Sequence, residues 1–250
     1  MPEVLGRARR GRLSTRGSAV DLATFYRGIA VSPDRLEPVL SAIKDRGLGV
    51  EKLGFWAPDL YRLPEPPRAL LQQMPIPRGH LQIEAPIPAV YATADRDTAL
   101  YYALKHNRNA KSAASILISF QAPLDDVMVD GRDLLYTAAS AVPRPDLRAL
   151  LVKVFGEALL PYLDAAWATS DGLQRITIID LAVHDPKVIR SHYANRVLFR
   201  ARNGIPFRSA FVVPTPIPKS RILFAREVDG EPASEEAVDA LEMIEMRVGR

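Results

Sequence analysis

The sequence predicts a single α+β domain, and three observations carry that expectation. Short apolar, β-favouring runs are interleaved with a few amphipathic helical patterns, without the regular strand–helix alternation of a doubly wound sheet. Apolar residues make up 48% of the 250, enough for a sizeable core, and the 25% charged content is ordinary for a soluble chain. No apolar run approaches the roughly 20 residues a membrane helix needs, so no membrane partner is expected. Zero Cys excludes a disulfide framework, a thiolate nucleophile and a Cys-based zinc site. The N-terminus has no apolar signal-type core, and a cytoplasmic location is expected.

The formal charge of +4 is concentrated at one end. Arg7, Arg9, Arg10, Arg12 and Arg16 face only Glu3 in the first 16 residues, and the rest of the chain is near neutral. Residues 1–17 therefore read as a basic, solvated arm and residues 18–250 as the domain. Phosphate contact with a nucleic acid is the arm's alternative use.

After the arm, Ala23 to Ala30 reads as a buried strand carrying Tyr26-Arg27-Gly28. Ser32-Pro33-Asp34 starts a helix with the apolar stripe Leu36, Val39, Leu40 and Ile43, ending at Arg46-Gly47. Residues 50–88 are Pro-rich, which forbids long helices and central strands. An ordered excursion with one helical turn at Arg68–Gln73 is expected there, bordering any site. Ser115–Phe120 and Val127–Asp130 read as strands, and Asp146–Ala168 as a helix kinked at Pro161. Arg175–Leu181, Asn195–Phe199 and Ser209–Val213 read as strands, Ile222–Ala225 as paired, and Ser234–Val248 as an amphipathic helix.

The stretch Val90–Asn107 organises the rest. An apolar run, Ala89-Val90-Tyr91, leads to Thr93, and the chain turns at Asp95, whose carboxylate can cap a helix whose dipole also favours Asp97. Ala99, Tyr102, Ala103 and His106 then share one face. Strand, sharp turn and helix follow, with Tyr91 at the strand end and Tyr102 facing inward.

No phosphate-binding Gly-rich loop, H-E-x-x-H or G-x-S-x-G is present. His80, His106, His184 and His192 are scattered without ligand spacing, so no metal is expected. The carboxylates Glu235, Glu236, Asp239 and Glu242 read as a solvated helix face. Asp130 follows an apolar strand and is a candidate functional carboxylate, although Asp-Gly also makes a turn by itself.

Three separated segments resemble the ADP-ribosyltransferases, in the branch that includes the poly-ADP-ribose polymerases and diphtheria toxin. Phe25-Tyr26-Arg27-Gly28 is similar to a first strand ending in His-Gly or Arg-Gly. Val90-Tyr91-Ala92-Thr93 with Ala99-Leu100-Tyr101-Tyr102-Ala103 is similar to the second strand and its helix. Asn195-Arg196-Val197-Leu198-Phe199 is similar to a later strand that in the family begins with Glu, here replaced by Arg196. The resemblance spans roughly residues 22–225. It implies a split antiparallel sheet with flanking helices and NAD as cofactor, and transfer of ADP-ribose to a protein or nucleic-acid acceptor, as in a bacterial toxin or effector.

By the same resemblance, the Gly28 backbone would hold the nicotinamide carboxamide, Tyr91 would stack on the ring, and Tyr26 and Tyr102 would also bind the cofactor. Arg27 would contact the adenosine-side ribose or the pyrophosphate, and Thr93 the neighbouring ribose. Breaking the glycosidic bond puts positive charge at the anomeric carbon, which a carboxylate normally steadies. Arg196 is a permanent cation and cannot do so. Asp130, Glu227 and Glu157 are the acids that would replace it. Otherwise the domain is a non-catalytic NAD- or nucleic-acid-binding module. The family's RNA 2′-phosphotransferases, which rely on Arg and His, are a third reading. With no site at all, Tyr26, Tyr91 and Tyr102 would be core aromatics, and Arg27 would be an ion-pair partner of Asp97 or Asp130.

Overall fold

A computed structural model of the chain describes residues 21–49, 68–73, 89–108, 110, 112–132, 134–200, 205–232, 236–240 and 242–244. The basic arm and most of the Pro-rich segment lie outside them, and of the helix expected over Ser234–Val248 the described residues, 236–240 and 242–244, are not helical. In chain order the elements are β1 (Leu22–Val31), α1 (Leu36–Arg46), α2 (Arg68–Gln73), β2 (Ala89–Ala92) and α3 (Arg96–Tyr101). A π-helical turn, Tyr102–His106, follows α3. Then come β3 (Ala114–Pro123), β4 (Met128–Val129), α4 (Leu135–Ser140), α5 (Pro145–Phe155), α6 (Leu160–Ala168), α7 (Gly172–Ala182) and α8 (Pro186–Tyr193). The last strands are β5 (Phe199–Arg200), β6 (Pro206–Phe207), β7 (Phe211–Pro214), β8 (Ile222–Val228) and β9 (Val238–Asp239). The mixed α and β content agrees with the expected α+β class. No described helix is long and apolar enough to cross a membrane.

The strands form three small sheets, ordered β1-β3-β8, β2-β7-β4 and β6-β5-β9, antiparallel except for the β5–β9 pair. Strand β3 is central in the first sheet, and its run from Ala114 to Phe120 is buried throughout, as expected of a strand covered on both faces. The main core joins this sheet to the helices. Phe25, Phe120 and Phe211 meet there, with ring centroids 5.4–6.0 Å from Phe25. Aromatic contacts at this spacing add about 1 kcal/mol each beyond their buried area.

Several expected elements differ. Arg175–Leu181 is not a strand but the body of α7, because Asp171 caps a helix by accepting from Leu173 N (2.8 Å) and Gln174 N (3.1 Å). That cap overrides the β-branched run that follows it. The break in Asp146–Ala168 falls at Gly156, whose φ of +80° ends α5, while Pro161 sits in the first turn of α6. In the third sequence segment only Phe199 is strand. Asn195 folds the chain before it into a local turn, accepting from Val197 N (2.9 Å) and donating to the carbonyls of Val197 (3.0 Å) and Arg208 (2.6 Å). Val238–Asp239, expected in a helix, pairs in parallel with β5.

Candidate functional site

Strands β1 and β2 belong to different sheets and touch through one bridge. Tyr26 N donates to Thr93 O (2.8 Å) and Thr93 N donates to Tyr26 O (2.9 Å). Continued in register, the next such pair would be Gly28 with Tyr91, but the ladder stops at the bridge. Other groups take the carbonyls freed there: Arg27 Nη1 donates to Tyr91 O (2.6 Å) and Asn107 Nδ2 donates to Gly28 O (2.9 Å). A cleft of about 260 Å³ opens between the parted strands, lined among others by Tyr26, Arg27, Gly28, Tyr91, Tyr102 and Asp130.

The helix that floors the cleft sits where it does because residue 28 is a glycine. A Cβ at Gly28 would lie 1.9 Å from Ala99 O and 2.6 Å from Ala103 N. Glycine thus lets α3 and its π-helical extension lie directly on β1, which turns Tyr102 and His106 toward the cleft. Their rings meet edge to face at 5.2 Å. The expected cap forms: Asp95 Oδ2 accepts from Thr98 N (2.8 Å) and Thr98 Oγ1 (2.6 Å), and Arg208 Nη1 reaches the same oxygen (3.0 Å). Thr93 is buried. Its hydroxyl accepts from Asp95 N (3.1 Å) and shares a hydrogen bond with Ser209 Oγ (3.1 Å), so it holds the turn.

On the opposite wall Asp130 is fixed by its backbone, its N–H donating to Ala210 O (2.8 Å). Its carboxylate accepts from Arg132 Nε (2.8 Å) and Arg132 Nη2 (2.6 Å), a bidentate charge-assisted pair. The Arg132 guanidinium in turn lies over the Tyr91 ring, 4.3 Å from its centroid. Burial lowers the Arg27 pKa to about 10, which leaves it cationic at neutral pH, and burial raises that of the Tyr91 phenol.

The structure therefore gathers Tyr26, Arg27, Gly28, Tyr91, Thr93, Tyr102 and Asp130 around one cleft. It does not bring Arg196 there: that side chain is exposed and outside the lining. Glu227 and Glu157 also lie outside it, as does the exposed Asp97. Sequence reasoning missed Arg132, Asn107, Ser209 and Phe207, which line the cleft too. Arg132 had a readable signal, since it follows Asp130-Gly131 at the spacing of an Asp-centred turn, in which its N–H reaches Asp130 Oδ1 (3.3 Å). Among the described residues no cluster of three His, Cys, Asp or Glu could hold a metal.

No protein-family model, curated protein or solved structure matches the chain.

Proposed function

We propose that the cleft binds NAD and that the protein transfers ADP-ribose to a macromolecular acceptor. One observation carries the reading: Gly28 and Tyr91, sequence neighbours of nothing in common, lie on the two lips of one opening created by an interrupted ladder. That arrangement supports a split sheet of the ADP-ribosyltransferase type. A phenol ring offers the face for a planar base, and the Gly28 edge of β1 borders it, with the Gly28 carbonyl already accepting from Asn107 Nδ2. Arg27 remains a cation between them and suits the pyrophosphate.

In the reaction the C–N bond between ribose and nicotinamide breaks, and nicotinamide leaves with the electron pair. The acceptor's nucleophile attacks the cationic sugar carbon and gives up its proton. Asp130 is the acid on the lining that would steady that charge.

A second reading is favoured by the state of that acid. Asp130 is already paired with Arg132, and the sequence segment that resembles the family's Glu-bearing strand carries Arg196, which lies outside the cleft. A non-catalytic NAD-binding module would look the same. Calorimetric titration of NAD into the wild type and Arg27→Ala tests the pocket, and absence of binding to either removes both readings. Release of labelled nicotinamide then separates them: turnover supports the transferase, and binding without turnover supports the module.

A further inference from the structure

The ring of Tyr91 does not wait bare for a ligand. A planar cation already lies on it, the guanidinium of Arg132, with its edge held by a carboxylate. The two components of that slot are unequal to the occupant. The Asp130 side chain is 6% exposed and anchored through its own backbone to Ala210, whereas the Arg132 side chain is 44% exposed. The slot is thus fixed and its filling can leave into solvent.

We propose that Tyr91 and Asp130 form a planar-cation site, that Arg132 fills it in the free protein, and that the oxidised, positively charged nicotinamide ring replaces Arg132 when NAD binds. The inference rests on the NAD reading for the identity of the ligand, but the slot itself does not. An aromatic face attracts a cation through its quadrupole, and a buried carboxylate at the rim adds charge complementarity. A neutral ring of the same shape receives only the stacking. Once the Arg132 side chain leaves, Asp130 keeps only the backbone N–H of that residue and lacks a countercharge, so the site discriminates by charge: NAD over NADH, and 1-methylnicotinamide over nicotinamide. Arg132 is the specificity-determining competitor, and exchanging it for a neutral residue frees the slot.

Nitration of Tyr91 by tetranitromethane, followed by peptide mass spectrometry, reads the slot without reference to NAD. Arg132 also favours the Tyr91 phenolate that the reagent attacks, so the rate is taken per phenolate, with the ionised fraction of each variant read by spectrophotometric titration. In Arg132→Ala, or Arg132→Met as a bulkier substitute, that rate should rise about tenfold. Millimolar guanidinium or 1-methylnicotinamide should restore protection, and nicotinamide should not. Calorimetry on the same variants should show NAD binding more tightly than to wild type and NADH more weakly than NAD. An unchanged rate per phenolate in both variants, or equal protection by the charged and neutral nicotinamides, overturns the slot. Protection by guanidinium and 1-methylnicotinamide with no binding of NAD upholds the slot and refutes only the NAD reading.

Discussion

Tyr26 and Thr93 exchange both of their backbone hydrogen bonds, and two residues further along, Gly28 and Tyr91 do not. The cleft exists because the ladder is closed at the first pair and open at the second. Arg27 and Asn107 hold it open by bonding the carbonyls that a continued ladder would have used.

Gly28→Ala tests the closeness of strand and helix. A methyl group 1.9 Å from Ala99 O meets backbone, which cannot rotate away, so α3 must shift. Overpacking of this kind costs about 3 kcal/mol. For a domain of this size that lowers the melting temperature by about 6–12 °C. Thermal unfolding of the variant measures it, and an unchanged midpoint would contradict the packing described.

Ser209→Ala removes the acceptor for Ala94 N (3.0 Å) and the partner of the Thr93 hydroxyl. Ser209 is 2% exposed, so water does not simply replace it. The expected loss is about 1–3 kcal/mol, read from urea unfolding. Because the turn at Thr93–Asp95 starts α3, amide exchange should rise first at its N-terminal residues.

Acid stability depends on His192. Its ring is buried, stacked on Phe155 at 4.5 Å, and bonded on both sides: Ala210 N donates to Nε2 (3.0 Å) and Nδ1 lies 3.3 Å from Val154 O. Burial holds the pKa down to about 4 against an ordinary 6.5. The unfolded chain therefore takes up the proton first. The stabilising contribution is whole above pH 6.5, falls away as the pH drops toward 4, and is flat below. Its size is about 3 kcal/mol. Urea midpoints across this window should fall in the wild type and flatten in His192→Gln; parallel slopes would rule out the assignment.

How much of this was legible in the sequence follows locality. The turn at Asp95 was readable because an Asp cap, a helix dipole and a helical face all lie within a dozen residues, and each forms. Gly28 and Tyr91 were readable as partners only through the ordered resemblance of their segments. The Arg175–Leu181 helix was misread because its β-branched residues outweighed Asp171 four positions earlier, the residue that decides it. The stacking of Arg132 on Tyr91 joins residues 41 apart in number, and neither periodicity nor a turn signal encodes such a pair. Arg196 was placed by analogy with a strand; the Asn195 turn instead leaves its side chain exposed.

Tyr91→Phe keeps an aromatic face and Tyr91→Ala removes it. With base stacking worth about 1–3 kcal/mol, NAD affinity should be retained within a few-fold in Phe and fall about 5- to 150-fold in Ala. Calorimetry separates the two. Equal binding by both variants would place the base elsewhere.

The sharpest check is a crystal structure of the protein soaked with NAD. The nicotinamide should lie flat on the Tyr91 ring, its carboxamide against the Gly28 edge, with Arg132 swung away from Asp130. A saturated crystal in which Arg132 still covers Tyr91, and the dinucleotide sits outside the opening between β1 and β2, would contradict the assignment of this cleft.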